Sequence, residues 1–99
     1  MEWTIRNDRQ SVTVGINYRL RLLYRQGLTP CMIRLGREHS RLFWAERGYS
    51  YIPNKQVIIR SDDVVWDEVE RQWFYKSRRL IPMRFNDPHI IGIAVEASS

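Results

Sequence analysis

The sequence has few of the residues that form cross-links, metal sites or catalytic centres. Cys31 is the one cysteine, so no disulfide forms within the chain, and a single thiol in an apolar run is typical of a packed side chain in a reducing compartment. His39 and His89 are the only histidines, too few for a zinc site at a recognisable spacing. Glu38, His39 and Ser40 are neighbours in sequence, but adjacent helix positions face different directions and cannot form a catalytic triad. We therefore expect no catalytic residue, no metal and no cofactor, and interpret the protein as a non-enzyme.

Long apolar runs and glycine-rich loops are missing as well. No stretch approaches the roughly 20 apolar residues of a membrane-spanning helix, and the opening MEWTIRNDRQ has no apolar signal core, so we expect a cytoplasmic protein with no membrane partner. Gly36 before Arg37 lacks the further glycines and the lysine of a phosphate-binding loop. A helix beginning at Arg37 would still present free backbone N–H groups to an anion.

The sequence does have enough apolar and aromatic material for one core. Ninety-nine residues that are 43% hydrophobic and 12% aromatic can build a single small domain, since large rings supply much of the burial that a short chain otherwise lacks. We expect one domain over residues 1–99, with 96–99 as a frayed tail.

The clearest local pattern is a strand that leads into a helix between Leu28 and Gly48. Apolar residues of the strand alternate along it, at Cys31, Ile33 and Leu35. After Gly36 the apolar residues cluster as on a helix face, at Leu42, Phe43, Trp44 and Ala45. Gly48 is a typical helix stop. The rest of the chain is expected to cover this unit.

Residues 12–24 fit two patterns. Apolar residues at every second position from Val12 to Leu22 are typical of a strand, whereas a helix face fits equally well at Ile16, Leu20, Leu23 and Tyr24. Gly27 before Thr29 and Pro30 is a typical helix exit, so we favour a helix over about 15–26 and leave the strand open. Residues 3–6 are expected to form a short strand and 7–11 a polar turn.

The second half of the sequence predicts a further helix and a hairpin. Val65, Val69 and Trp73 recur at helical spacing beside Trp66, after the capping residues Ser61, Asp62 or Asp63 and before a basic end at Lys76, Arg78 and Arg79. Residues 49–55 are expected to be a loop and 57–60 a brief strand. Runs at 80–85 and 90–95 predict a β-hairpin. The expected fold is a small α+β domain, with two or three helices packed on a short, mostly antiparallel sheet that ends in a C-terminal β-hairpin.

The charge is basic and dominated by arginine. Sixteen Lys and Arg oppose eleven Asp and Glu, giving a net charge of +5, and fourteen of the basic residues are Arg. Arg favours bidentate contacts with phosphate and carboxylate, although a GC-rich genome also enriches it. Aromatic residues lie among these cations, and we predict a partner-binding face formed by Arg19, Arg21, Arg25, Arg37, Arg41, Trp44 and Arg47. The alternative is an ordinary pair of amphipathic helices with a solvated outer face.

The central unit and the end of the chain resemble a type of small protein encoded by tailed phages and prophages. In those proteins a helix, Gly and Thr-Pro precede a strand ending in Leu-Gly, a second helix opens with a basic residue and Glu, and Asp-Pro-His lies near the final turn. The matching residues here are Gly27, Thr29, Pro30, Leu35, Gly36, Arg37, Glu38, Gly48, Tyr49, Asp87, Pro88 and His89. The resemblance covers roughly half of the chain and implies a phage-type α+β protein without an activity, with 51–79 as an insertion.

These observations together indicate a small basic binding protein. We expect a non-enzymatic phage-type accessory protein, host-modulating or anti-defence, that binds a host or phage protein or nucleoprotein through the basic face in the cytoplasm of the host cell. Direct nucleic-acid binding is one alternative, and a small structural component of the virion is another. The sequence leaves a homo-oligomer open.

Overall fold

A computed structural model of the chain describes residues 1–5, 10–50, 62–83 and 87–96. Most of the turn expected at 7–11 and of the loop expected at 49–55 lies outside these residues, as do the strand expected at 57–60 and the tail at 97–99. Within the described ranges the chain forms two helices and six strands. In chain order they are β1 (Glu2–Thr4), α1 (Val12–Arg25), β2 (Pro30–Gly36), α2 (Arg37–Ala45), β3 (Val64–Asp67), β4 (Gln72–Tyr75), β5 (Arg78–Met83) and β6 (Ile90–Val95).

The strands form one sheet in the order β1–β6–β2–β5–β4–β3. β2 and β5 pair in parallel, whereas every other neighbouring pair of described strands is antiparallel. The described chain is therefore an α+β fold with a mostly antiparallel sheet, as the sequence predicts. Neither of its described helices is long and apolar enough to cross a bilayer.

Residues 12–24 are helical, and α1 begins at Val12 rather than near residue 15. Its buried residues recur at the three- and four-residue spacing of a helix face, at Val12, Ile16, Leu20 and Leu23. Val14 and Tyr18, which a strand would have placed on the same side as Val12, are exposed instead. Burial against the sheet thus follows the helical period and not the alternation.

Both ends of α1 are capped by their own sequence. The hydroxyl of Ser11 accepts a hydrogen bond from the Val14 N–H at 3.2 Å, which satisfies one free donor of the first turn. At the other end Gly27 has a φ of 76°, and the Leu28 N–H donates to the Leu23 carbonyl at 3.0 Å. This is the glycine-dependent ending that the sequence predicts after residue 26.

The predicted strand–Gly36–helix unit is confirmed as β2 and α2. Ile33 and Leu35 of β2 are buried, and so are Phe43 and Trp44 of α2. Ala45 is exposed, so its place on the predicted apolar face of the helix is wrong. The chain leaves the helix through Gly48, whose φ is 91°, as the sequence indicates.

The helix predicted from about residue 61 to 79 is wrong, because this segment forms β3, β4 and the start of β5. Val65 and Val69, two residues of the predicted helix face, are exposed. The side chain of Asp67 accepts hydrogen bonds from the Val69 and Glu70 N–H groups, both at 2.9 Å, and so closes a turn between β3 and β4. Every second residue of β4 is buried, Trp73 among them, which is the pattern of a half-buried strand.

The predicted C-terminal β-hairpin is also wrong. β5 and β6 are not neighbours, because β2 lies between them and pairs with both. β2 is the central, most buried strand, and its parallel pairing to β5 places Leu35 opposite Pro82 while its antiparallel pairing places Leu35 opposite Ile91. Insertion of β2 gives both edges of this apolar strand a hydrogen-bonding partner.

The core lies between the two helices and one face of the sheet. Ile33, Leu35, Phe43, Ile91 and Ile93 are buried as predicted, whereas Leu42 and Val95 pack against the core partly buried and Cys31 is half-buried. Aromatic rings join α2 to β4: the Phe43 and Tyr75 centroids lie 5.5 Å apart, and those of Trp44 and Trp73 lie 5.2 Å apart. Both helices thus cover the sheet face of Trp73 and Tyr75, and no described helix covers the other face.

Candidate functional site

Trp44 and Arg47, two of the seven residues predicted to bind a partner, are inside the fold. The Trp44 side chain belongs to the core and meets the rings of Phe43 and Trp73 edge-on. The Arg47 side chain is only 5% exposed and forms an ion pair with Asp63 at 2.7 Å. The prediction that Arg47 turns away from the core is therefore wrong, and its charge is neutralised where it is buried.

Arg19 and Arg41 are engaged within the molecule. Arg19 donates to the Gly15 carbonyl at 2.9 Å and lies 5.4 Å from the centroid of the Trp3 ring, and burial lowers its pKa. Arg41 is exposed and donates to Glu38, and this hydrogen bond lowers the pKa of the Glu38 carboxyl. Both side chains therefore already have contacts within the molecule.

Arg21, Arg25 and Arg37 are the predicted residues that remain exposed. None of them forms an ion pair with another residue in the described part of the chain. Arg21 and Arg25 lie one turn apart on α1 and share a face, whereas Arg37 begins α2. The structure therefore divides the predicted face, and the larger group of free cations belongs to α1.

Two further cations join the α1 group from the turn between β4 and β5. Lys76 and Arg78 line one cleft of about 310 Å³ together with Asn17, Leu20, Arg21 and Tyr24. Arg78 donates to the Tyr24 hydroxyl, and its guanidinium carbon lies 5.3 Å from the centroid of that ring. We name Arg21, Tyr24, Lys76 and Arg78 the basic cleft. The sequence does not predict Lys76 and Arg78 as partner-binding residues, because it predicts that their segment ends a helix.

The turn that carries Lys76 is strained. Lys76 has a φ of 48° and Ser77 a φ of 67°, and a two-residue turn with both angles positive matches the type I′ hairpin. Asn-Gly is the usual sequence of such a turn, since side chains with a Cβ lose roughly 1–2 kcal/mol in the left-handed region. Lys76, a residue of the basic cleft, thus has a backbone conformation that is unfavourable for a lysine.

Ser77→Gly is expected to raise the free energy of unfolding by about 0.5–1 kcal/mol, because glycine adopts the positive φ without the Cβ penalty but loses more entropy on folding. Lys76 stays in place, so the charge of the basic cleft is unchanged. Urea denaturation measures the gain. Ser50→Gly is the control, since Ser50 is exposed without a positive φ and its replacement should give no gain. A loss of stability in Ser77→Gly would contradict a left-handed turn.

Two N–H groups in the first turn of α2 already have a partner within the molecule. Those of Glu38 and His39 donate to the Pro88 carbonyl at 3.0 and 3.2 Å. This contact occupies two of the donors that a helix beginning at Arg37 would present to an anion. The same contact brings together residues of the phage resemblance from the centre and from the end of the chain. Gly36 approaches Asp87 and Pro88 so closely that a Cβ at Gly36 would lie 2.3 Å from the Asp87 carbonyl oxygen.

His39 and His89 lie together behind this contact. Their rings meet edge-on with centroids 5.7 Å apart, and His39 Nε2 lies 2.9 Å from the Ile5 carbonyl oxygen. His39 is buried, and desolvation lowers its pKa, so its ring is neutral at neutral pH. The pair joins β1, α2 and the segment before β6. In the described part of the chain no three His, Cys, Asp or Glu side chains form a group that could hold a metal ion.

Comparison with protein-family models, with curated proteins and with solved structures finds no match for this chain. We therefore infer the function from the geometry of the basic cleft and of its surroundings.

Proposed function

We propose that the protein is a non-enzymatic accessory protein of the phage type that binds an anionic host or phage protein or nucleoprotein through the basic cleft. One observation carries the proposal: cations from α1, from the β4–β5 turn and from the start of β5, far apart in sequence, line the same cleft as the exposed ring of Tyr24. No carboxylate lines this cleft within the described residues.

The arrangement is suited to binding in two physical respects. Arg21 and Lys76 raise the local positive potential, which attracts an anionic partner at rates that fall as salt increases. Tyr24 is 51% exposed, and a large amphipathic ring beside an Arg is the kind of residue that anchors a protein interface. Arg25 extends the basic cleft by one helical turn.

The phage-type assignment comes from the resemblance of the central unit, and the host-modulating or anti-defence role is the form of accessory function that we propose with it. A small virion component is the alternative, and stoichiometric presence of the protein in purified particles would identify it. A cytoplasmic location in the host follows from the same proposal.

The test is capture of partners from a bacterial lysate by the tagged protein and by two double variants. Arg21→Glu with Lys76→Glu reverses the basic cleft and is expected to lose the captured partner. Arg37→Glu with Arg41→Glu makes the same change of charge on α2 and is expected to keep it. Circular dichroism should show both variants folded, since surface substitutions shift stability little.

Other outcomes would reassign the site. Equal capture by the parent and by both variants would show that the basic cleft is only a solvated surface. Loss of capture in the α2 variant alone would return the site to Arg37 and Arg41, which the sequence also indicates. Nuclease treatment of the lysate separates a protein partner from a nucleoprotein.

A further inference from the structure

A second cleft shares Tyr24, Lys76 and Arg78 with the basic cleft. Its volume is about 450 Å³, and its lining includes Lys76, Phe74 and Arg79 as well as Tyr24 and Arg78. The basic cleft therefore continues around the β4–β5 turn instead of ending at it. One carboxylate, that of Glu96, belongs to the lining.

Phe74 and Arg79 lead from this second cleft onto the sheet face that the helices leave uncovered. Trp73 and Tyr75 are buried toward the helices, so Phe74 between them faces the opposite side. The register continues the row across the sheet, through Val65, Phe74, Arg79, Met32 and Ala94. In the next row Arg34 lies beside Ile81 and Gly92. The uncovered face thus combines an aromatic ring and apolar side chains with two arginines, and Glu2, which pairs with Gly92, places one carboxylate at the edge of the row that contains Arg34.

We propose that this continuous surface binds single-stranded nucleic acid, with the phosphates along the basic cleft and bases stacked on Tyr24 and Phe74; the inference rests on the proposed function and specifies the nucleic acid as the part of a nucleoprotein partner that the surface contacts. Rings give a base a flat apolar partner, while the guanidinium groups between the rings pair with the backbone. Two rings separated by cations match the alternation of base and phosphate along a single strand.

Other anionic partners use less of the surface. A duplex keeps its bases stacked inside, so its phosphates would contact the cations while Tyr24 and Phe74 found no base to stack on. An acidic peptide would pair with the arginines and lysine but has no flat bases for the rings. Only a single strand uses both kinds of residue together.

The carboxylates nearby do not block this surface. Arg79 pairs with Glu70 at 2.9 Å, but both side chains are nearly half exposed. An ion pair in such a position is worth little in water, so a phosphate can replace the carboxylate at small cost. Glu96 follows β6 and is exposed, so its carboxylate is hydrated.

The test is fluorescence anisotropy with labelled 20-mers of deoxythymidine and of uridine, and with a DNA duplex of the same length. We expect both single strands to bind at least about tenfold more tightly than the duplex, and their affinity to fall with salt. Tyr24→Leu and Phe74→Leu should each weaken single-strand binding about tenfold, the usual effect of losing one stacked base. Tyr18→Leu is the control, since Tyr18 is equally exposed on another face of α1 and its loss should change nothing.

Several outcomes would overturn the inference. They are a duplex that binds as tightly as the single strands, Leu variants that bind like the parent, and polyglutamate that displaces the oligonucleotide at equal charge. Absence of oligonucleotide binding, together with charge-dependent capture of a lysate protein, would reject single-stranded nucleic acid and leave the proposed function intact. Absence of both would reject both proposals.

Discussion

Asp63→Ala is expected to lower the free energy of unfolding by about 3–5 kcal/mol, because it leaves the buried guanidinium of Arg47 without its counter-ion. Two hydrogen bonds join the pair, from Nε to Oδ1 at 3.2 Å and from Nη2 to Oδ2 at 2.7 Å. The remaining nitrogen, Nη1, donates to the Thr13 hydroxyl and to the Phe43 carbonyl, both at 2.8 Å. The guanidinium also lies 3.7 Å from the centroid of the Phe43 ring, which packs against it.

Replacement of Arg47 should lower the free energy of unfolding less than replacement of Asp63, and this difference tests the explanation. Arg47→Met leaves Asp63, whose side chain is 33% exposed and can be hydrated, whereas Asp63→Ala leaves an arginine that is 5% exposed. The double variant Arg47→Met with Asp63→Leu should recover most of the stability, since apolar pairs often replace buried ion pairs without loss. Urea denaturation followed by tryptophan fluorescence measures all three. A cost below about 1 kcal/mol for Asp63→Ala would show that Arg47 does not depend on this partner.

The Arg47–Asp63 pair also shows what kind of information the sequence withholds. A helix face requires charged residues to avoid the core, and this rule predicts Arg47 on the surface. The rule fails here because Asp63, sixteen positions later, reaches the guanidinium after the chain has turned back. Such a pair depends on tertiary structure, and no spacing in the sequence indicates it.

Local signals account for the parts of the fold that the sequence predicts correctly. β2 and α2 combine a clear period with a glycine between them, and α1, whose period is ambiguous, is indicated by the helix exit at Gly27; these features act within a few residues. The order of strands depends instead on which distant segments pair. The sequence indicates 80–85 and 90–95 as neighbours, but β2 has two edges of backbone N–H and C=O groups that need partners, and it lies between them.

The segment from 61 to 79 shows how a coincidence of spacing misleads. Val65, Val69 and Trp73 are four residues apart, which matches a helix, although Val65 and Val69 prove to be solvent-exposed. A better signal was present, since the run Gln72–Tyr75 is rich in strand-forming aromatics and two residues separate it from β5. Lys76 and Ser77 give no signal of this hairpin in the sequence, because they are not the glycine-containing pair that such a turn favours.

The residues of the candidate site also divide into those that local signals predict and those that depend on tertiary structure. Arg21 and Arg25 were within reach of the sequence because they lie on one predicted helix face. Lys76 and Arg78 were not, because only the pairing of β4 with β5 aims their turn at Tyr24. The uncovered sheet face could not be predicted either, because it results from the packing of both helices on the same face of the sheet.

The second large effect concerns Gly36, which we expect to tolerate no side chain. Its φ of −58° is open to every residue, so the requirement is for space and not for backbone freedom. A Cβ at this position would lie 2.3 Å from the Asp87 carbonyl oxygen and 2.7 Å from the Pro88 carbonyl carbon. Both neighbours are backbone atoms, which cannot rotate away as the end of a side chain would.

Gly36→Ala is therefore expected to lower the free energy of unfolding by about 3–5 kcal/mol. The overlap itself is worth roughly 1–3 kcal/mol, and displacement of Pro88 also breaks its hydrogen bonds to the Glu38 and His39 N–H groups, at about 1 kcal/mol each. Urea denaturation gives the difference directly. A loss smaller than about 1 kcal/mol would show that the segment at Asp87 and Pro88 yields to the methyl group, and that its contact with α2 is loose.

Gly15→Ala is the matched control for this prediction, because the same methyl group is added at a glycine with room for it. Its Cβ would lie 3.5 Å from Arg19 Nη1 and 4.0 Å from Ile91 Cδ1, which are ordinary contact distances. Gly15 is inside α1, where alanine restricts the unfolded chain and favours the helix, so this variant should gain about 0.4–1 kcal/mol. Opposite signs for the two substitutions would assign the loss at Gly36 to the close approach of Asp87 and Pro88, whereas a loss at both positions would point to a general intolerance of added volume.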